Sequence, residues 1–264
     1  MEKLPATAGW LWIKKGFALF RKQPVEISTL FLAYMFLMLT VGVIPLLGQL
    51  LPMILLPVFS MAFMQACVHI EQGKRVFPNV LLTGFRSPQL KSLIILGVLH
   101  LIVAIMVIGG SALFDDGALW QVMTGQIQLD AKTAKEIDIS TSILFAALFY
   151  IPFAMAFCYA APLIAWKKMR VFQALFYSFF AVWTQFKAFM TYSLVWMAIG
   201  IILPSIISLI SALLFNSPSI AVMLLLPLSL LMTVVLYCTF YQAYTDVFGV
   251  PDEANGDSAP IVSN

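Results

Sequence analysis

Residues 92–114 read Ser92-Leu-Ile-Ile-Leu-Gly-Val-Leu-His100-Leu-Ile-Val-Ala-Ile-Met-Val-Ile-Gly-Gly-Ser-Ala-Leu-Phe114. No Asp, Glu, Lys or Arg interrupts these 23 residues. A helix crossing a hydrocarbon core roughly 30 Å thick needs about 20 mostly apolar residues. A barrel strand would alternate polar and apolar every second residue over about 10 positions. This run does not alternate, so its backbone must satisfy its own hydrogen bonds as helix. Five further stretches have the same character: 25–47, 51–70, 141–165, 188–214 and 219–245. Glu26 stands at the start of the first, and no charge lies near the middle of any.

Composition agrees with six spans. Of 264 residues, 62% are hydrophobic and 10% charged. Soluble domains are nearer 45–50% apolar and about 25% charged. Even a ~300-residue soluble domain buries only about 75% of the surface that its unfolded chain exposes. A soluble enzyme, a nucleic-acid-binding domain and a disordered chain are therefore excluded. The expectation is an all-α integral membrane bundle: one transmembrane domain over 1–248 and a disordered tail over 249–264. The first span is longer than a signal-peptide core and lacks a small-residue cleavage site, so it reads as a retained anchor.

The basic residues set the orientation. Lys3, Lys14, Lys15, Arg21 and Lys22 precede the first span; Lys74, Arg75, Arg86 and Lys91 lie between the second and third; Lys167, Lys168, Arg170 and Lys187 lie between the fourth and fifth. Thirteen of the 15 basic residues thus fall on one side. Lys132 and Lys135 fall on the other, in an acidic loop over 115–140 with room for a short helix near Asp130. The positive-inside rule predicts a multi-pass membrane protein with both termini cytoplasmic.

An internal repeat is also legible. Pro57 and Pro152 precede Val76-Phe77 and Val171-Phe172 by nineteen residues; Pro227 precedes Val247-Phe248 by twenty. The segment before each odd-numbered span is amphipathic in the first and third cases. In the first, Trp10, Trp12, Ile13, Phe17, Leu19 and Phe20 fill one half of a helical wheel, and Lys14, Lys15, Arg21 and Lys22 the other, with Leu11 the one misfit. In the third, over 170–187, Arg170, Gln173, Tyr177, Thr184 and Lys187 share an arc, with Phe180 the misfit. The second, 76–91, is weaker, but Gly84-Phe85-Arg86 before Pro88 echoes Phe20-Arg21 before Pro24. The predicted unit is an interfacial helix and two spans, three times over. Such helices lie in the headgroup layer with their basic residues toward anionic lipid. Lys14, Lys15, Arg21, Lys22, Lys167, Lys168 and Arg170 are the candidate contacts.

Polar groups inside spans are functional candidates by default. Gln65, His69, His100, Tyr159, Tyr241 and Gln242 all fall on the basic side of the bundle. Facing inward together they would form an inner-leaflet pocket; facing separate neighbours they would supply interhelical hydrogen bonds worth ~0.6–2 kcal/mol each. The two histidines lack Cys, Asp or Glu at matching depth, so no metal site is expected, and no nucleophile–base pair is present for catalysis. The cysteines, Cys67, Cys158 and Cys238, read as buried apolar side chains.

The leader Gly9-Trp10-Leu11-Trp12-Ile13-Lys14-Lys15-Gly16-Phe17-Ala18-Leu19-Phe20, followed by six spans, resembles a family of uncharacterised bacterial inner-membrane proteins. The unit of amphipathic helix plus two spans is distantly similar to YciC-like proteins and to the membrane region fused to some glycerophosphodiester phosphodiesterases. No phosphodiesterase domain is present, so that activity does not carry over. The resemblance implies a helical inner-membrane bundle, with no reaction, cofactor or catalytic residue to transfer. The expected role is non-enzymatic: binding membrane phospholipid or organising a membrane-protein partner or homo-oligomer, with no nucleic acid involved. The alternative is a permease or channel for a small or amphiphilic solute.

Overall fold

The computed structural model describes residues 3–44, 47–115, 117, 120–121, 140–215 and 218–251. All regular structure among them is helical. Among the described residues six helices are long and apolar enough to cross a membrane. The helix expected near Asp130 and residues 252–264 of the tail lie outside the described residues.

A short helix α1 (Thr7–Phe20) leads into the first hairpin, α2 (Pro24–Gly42) and α3 (Leu47–Glu71). Pro24 opens α2, where its missing N–H removes no helical bond. A 3₁₀ turn (Pro78–Leu82) and α4 (Thr83–Arg86) lead into α5 (Leu90–Asp115). The expected second amphipathic helix, 76–91, is therefore reduced to a 3₁₀ turn and one turn of α-helix. Pro88 explains the stop: Ser87 before it is extended, at ψ 135°. The return span comprises α6 (Ser140–Cys158) and α7 (Ala160–Lys167). The third set is α8 (Val171–Thr184), α9 (Phe186–Phe215) and α10 (Pro218–Phe248).

The continuous span expected over 141–165 is broken at Tyr159. Two causes meet there. Pro162 cannot donate to Cys158 and its ring crowds that carbonyl. Ser178 of α8 then enters the ladder: its Oγ accepts from Tyr159 N–H at 2.9 Å and donates to Met155 O at 2.8 Å. One hydroxyl replaces the 159→155 backbone bond, a recognised cause of a helix break.

Each short helix docks on a hairpin. The 3₁₀ turn and α4 pack on α2 and α3; α8 packs on α5, α6 and α7; α1 packs on α9 and α10. Close approach needs small residues. A Cβ on Gly16 would lie 2.5 Å from Thr239 Cα, and one on Gly84 would lie 2.3 Å from Val58 O. On α8 the buried side chains are Val171, Ala174, Ser178, Ala181 and Val182. Its aromatic residues point outward: Phe172, Phe176 and Trp183 are 74%, 61% and 62% exposed. Trp10, grouped by the wheel with the packed half of α1, is likewise exposed, with Lys14 Nζ 5.5 Å from its ring centroid.

The buried core is concentrated at the basic end, in α3 over 57–68, in α7 and in α10 over 234–244. Towards the other end α9 exposes Ile201, Ile202, Leu209 and Leu213. Hydrocarbon solvates such side chains as well as a protein interior does, so nothing drives them together.

Candidate functional site

The six polar side chains singled out in the spans fall into separate environments. His100 of α5 faces α6, with Nε2 3.5 Å from Tyr150 OH and its ring edge-on to Phe157 at 5.0 Å. Tyr159 is fully buried in an aromatic cluster with Phe240, Tyr244 and Phe248 of α10. Tyr241 donates to Glu71 Oε2 at 2.5 Å, tying α10 to the end of α3. Gln242 is buried on α10, and its carbonyl accepts from Thr245 Oγ1 at 3.0 Å. His69 sits half-buried in the last turn of α3. Gln65 of α3 is buried and accepts from Trp166 Nε1 of α7 at 3.4 Å.

Gln65 also opens onto a pocket of about 330 Å³ where α3, α4 and α7 meet. Arg86, Ser87, Gln89, Trp166 and Lys168 line it with Gln65. With Thr83 also in the lining, two cations, two carboxamides and two hydroxyls share one concavity, and among the described residues no Asp or Glu lines it. Of the sequence-selected residues, Gln65 and Lys168 meet here. Lys14, Lys15, Arg21, Lys22, Lys167 and Arg170 are exposed elsewhere on the basic face.

Lys168 is held there at a conformational cost. It caps α7 in the left-handed region, at φ 53° and ψ 31°, and Met169 N–H closes back on Leu163 O at 3.3 Å. The Cβ of an L-residue clashes in that conformation, by about 1–2 kcal/mol, so glycine is the usual occupant. The corresponding position before Val76-Phe77 is Gly73, also left-handed at φ 70°. Both residues stand three positions before their Val-Phe pair.

A feature missed in the sequence explains why the pocket lies at this junction. Gln23, Gln89 and Gln185 each immediately precede the first span of a hairpin: α2, α5 and α9. Gln23 Oε1 accepts from Val76 N–H at 3.1 Å and its Nε2 donates to Lys74 O at 2.8 Å, holding the lead-in to the 3₁₀ turn. Gln185 Oε1 accepts from Leu4 N–H at 2.8 Å, holding the lead-in to α1. Among the described residues, the side chain of Gln89 makes no such bond to the lead-in of α8. The junction stays open and becomes the pocket. The recurrence of glutamine before each odd-numbered span was the available signal; Arg86 and Trp166 carried none beyond charge and size.

Across the bundle α1 is fixed by Trp12, which is fully buried. Its Nε1 donates to Asp246 Oδ2 at 2.9 Å, and Lys15 Nζ stands 4.0 Å from Asp246 Oδ1. Between α9 and α10 lies a second cavity of about 440 Å³, lined by Trp196, Gly200, Pro204, Ser229 and Thr233 among apolar side chains.

The chain is 34% identical, over 95% of its length and 94% of the other's, to a probable inner membrane protein of Burkholderia thailandensis, BTH_II0599. No established family profile matches it. No solved structure matches it.

Proposed function

The chain belongs to the family of the Burkholderia thailandensis probable inner membrane protein BTH_II0599, and from that premise we propose that it is a non-enzymatic inner-membrane protein that binds phospholipid at its cytoplasmic face. On this reading the chain is three copies of one unit closed into a ring, with both termini cytoplasmic. Partner proteins or further copies would bind through the same face.

The outer face of α8 carries the argument. Its small side chains are buried, while Phe172, Phe176, Phe180 and Trp183 are exposed. That inversion is favourable only where an apolar medium meets the helix. Exposed Arg170 and Lys187 flank the stripe, as basic residues do on helices lying in the headgroup layer. The ring reading is supported by the order of docking, since each short helix rests on the hairpin before it and α1 rests on the last. Cys67 and Cys238 support it too: each lies nine residues before a Val-Phe pair, and their Sγ atoms are 3.9 Å apart, as equivalent positions near a pseudo-axis would be.

Native mass spectrometry of the detergent-extracted protein tests the reading. Retained phospholipid is expected, with less of it after Lys14, Arg21 and Lys22 are changed together to Gln. Lys15 is kept because of Asp246. Retention unchanged by the triple substitution would count against the in-plane helices as the lipid-binding face.

The cavity between α9 and α10 favours a second reading, passage of an amphiphilic solute. A Cβ on Gly200 meets nothing within 4 Å, so the backbone there accepts a side chain, and Gly200→Leu would project bulk into the cavity that Gly200 lines. Undiminished flux in proteoliposomes would exclude that route.

A further inference from the structure

We propose that the open junction between α4 and α7 is a site for the phosphate of an anionic phospholipid, with Arg86 and Lys168 as the cationic pair. This rests on the phospholipid-binding reading above and makes it specific to one place and one headgroup charge.

Three independent features converge on the pocket. First, Lys168 occupies a left-handed cap where the equivalent residue is Gly73. Glycine would relieve the backbone, so what lysine adds at this position is its ammonium group. Strained residues held by their surroundings cluster at ligand sites. Second, the junction lacks the glutamine-to-backbone bond that closes the other two. Gln89 lines the pocket instead, beside Arg86 and Ser87. Third, Gln65 is buried, and with its Oε1 turned to Trp166 its Nε2 has no acceptor among the described residues. Donors without acceptors and cations without carboxylates define what fits: a small, oxygen-rich anion. Neither Arg86 nor Lys168 forms an ion pair among the described residues.

The lining also discriminates. Arg86 presents a planar fork that suits phosphate oxygens, and Lys168 a point charge. A phosphatidylglycerol headgroup places its negative charge beside the two cations and brings no positive charge with it. Phosphatidylethanolamine would bring an ammonium group beside two cations, with no Asp or Glu among the described lining residues to receive it. Such like-charge juxtaposition disfavours the wrong ligand.

The test uses the full chain, purified in detergent, delipidated and titrated with phosphatidylglycerol, phosphatidylethanolamine or inorganic phosphate under native mass spectrometry. Wild type is expected to hold one phosphatidylglycerol more tightly than phosphatidylethanolamine. Arg86→Gln and Lys168→Gly should each weaken phosphatidylglycerol by about tenfold or more, as loss of a charge-assisted bond does. Lys168→Gly suits the left-handed backbone, so its thermal midpoint should stay level or rise, which separates lost binding from lost folding. Binding in both variants equal to wild type would overturn the site while leaving lipid binding elsewhere intact. Wild type that takes up neither lipid would overturn the lipid reading itself. Displacement of phosphatidylglycerol by inorganic phosphate at equal concentration would show that the pocket takes a free anion and overturn the lipid assignment.

Discussion

The hydroxyl of Ser178 stands inside the hydrogen-bond ladder of a neighbouring span, accepting from Tyr159 N–H at 2.9 Å and donating to Met155 O at 2.8 Å. Residue 178 is thereby part of the fourth span's geometry, although it lies nineteen positions beyond Tyr159. The break it maintains starts α7 as a separate helix, and Trp166 of α7 and Lys168 just after it line the pocket. Ser178→Ala should leave a buried N–H and a buried carbonyl unpaired, at about 1–3 kcal/mol for each group. The expected result is a clear fall in the thermal unfolding midpoint in detergent. Ser178→Cys, which keeps a weak donor and acceptor, should lose less. An alanine variant as stable as wild type would mean that the helix closes over the gap.

Trp12 and Asp246 are joined across 234 residues by one bond of 2.9 Å. Asp246→Asn retains an acceptor and should cost under about 1 kcal/mol, whereas Asp246→Ala strands the buried indole N–H and should cost about 2 kcal/mol. Trp12→Phe removes the donor along with some packing. In a double-mutant cycle the combined variant should lose less than the sum of the two single losses. Simple additivity would show that the indole and the carboxylate act independently.

Helix docking should be sensitive at two glycines and indifferent at a third. A Cβ at Gly16 or Gly84 meets neighbouring backbone at 2.5 Å or less, so Gly16→Ala and Gly84→Ala should each destabilise by about 1–3 kcal/mol. At Gly42 nothing lies within 4 Å, and Gly42→Ala should be neutral or slightly stabilising. The comparison can be read from thermal midpoints and from trypsin cleavage at Arg21 and Lys22, which should quicken as α1 loosens in the Gly16 variant. Equal midpoints for all three variants would contradict the docking geometry.

The glutamines before the spans should protect particular amides. Gln23→Ala frees the Val76 N–H and Gln185→Ala frees the Leu4 N–H, so hydrogen exchange should accelerate in peptides covering those residues. Gln89→Ala should leave exchange around Met169 and Arg170 near the wild-type rate, because no such bond is present there. Acceleration of equal size in all three variants would show that the third junction is closed like the others.

What could be read from the chain follows from how membranes constrain it. Continuous apolar runs without charge allow only helix, and the sorting of Lys and Arg marks which loops share a face. Six spans came from those two rules, and helical wheels added the amphipathic character of residues 10–22 and the weakness of the second short helix. The break at Tyr159 did not. Pro162 was visible, but prolines are common in membrane helices, and the inserted hydroxyl comes from another element. Nor could helical wheels tell which face of α8 is buried, because lipid and protein interiors reward the same side chains.

The amino-acid sequence by itself determined an all-helical six-span protein with a basic face, since hydrophobicity and charge act on each segment independently of where its neighbours lie. Only the tertiary structure decided which polar groups meet. It kept His100, Tyr159 and Tyr241 in separate environments and brought Gln65, Arg86, Gln89 and Lys168 to one pocket. That choice depends on one hydrogen bond that two junctions form and the third lacks, and on a left-handed residue whose side chain is lysine where its counterpart is glycine. The glutamines and the Lys168/Gly73 difference stand in the chain, but which junction closes and which residue turns left-handed are relations between distant segments, set by packing and backbone geometry.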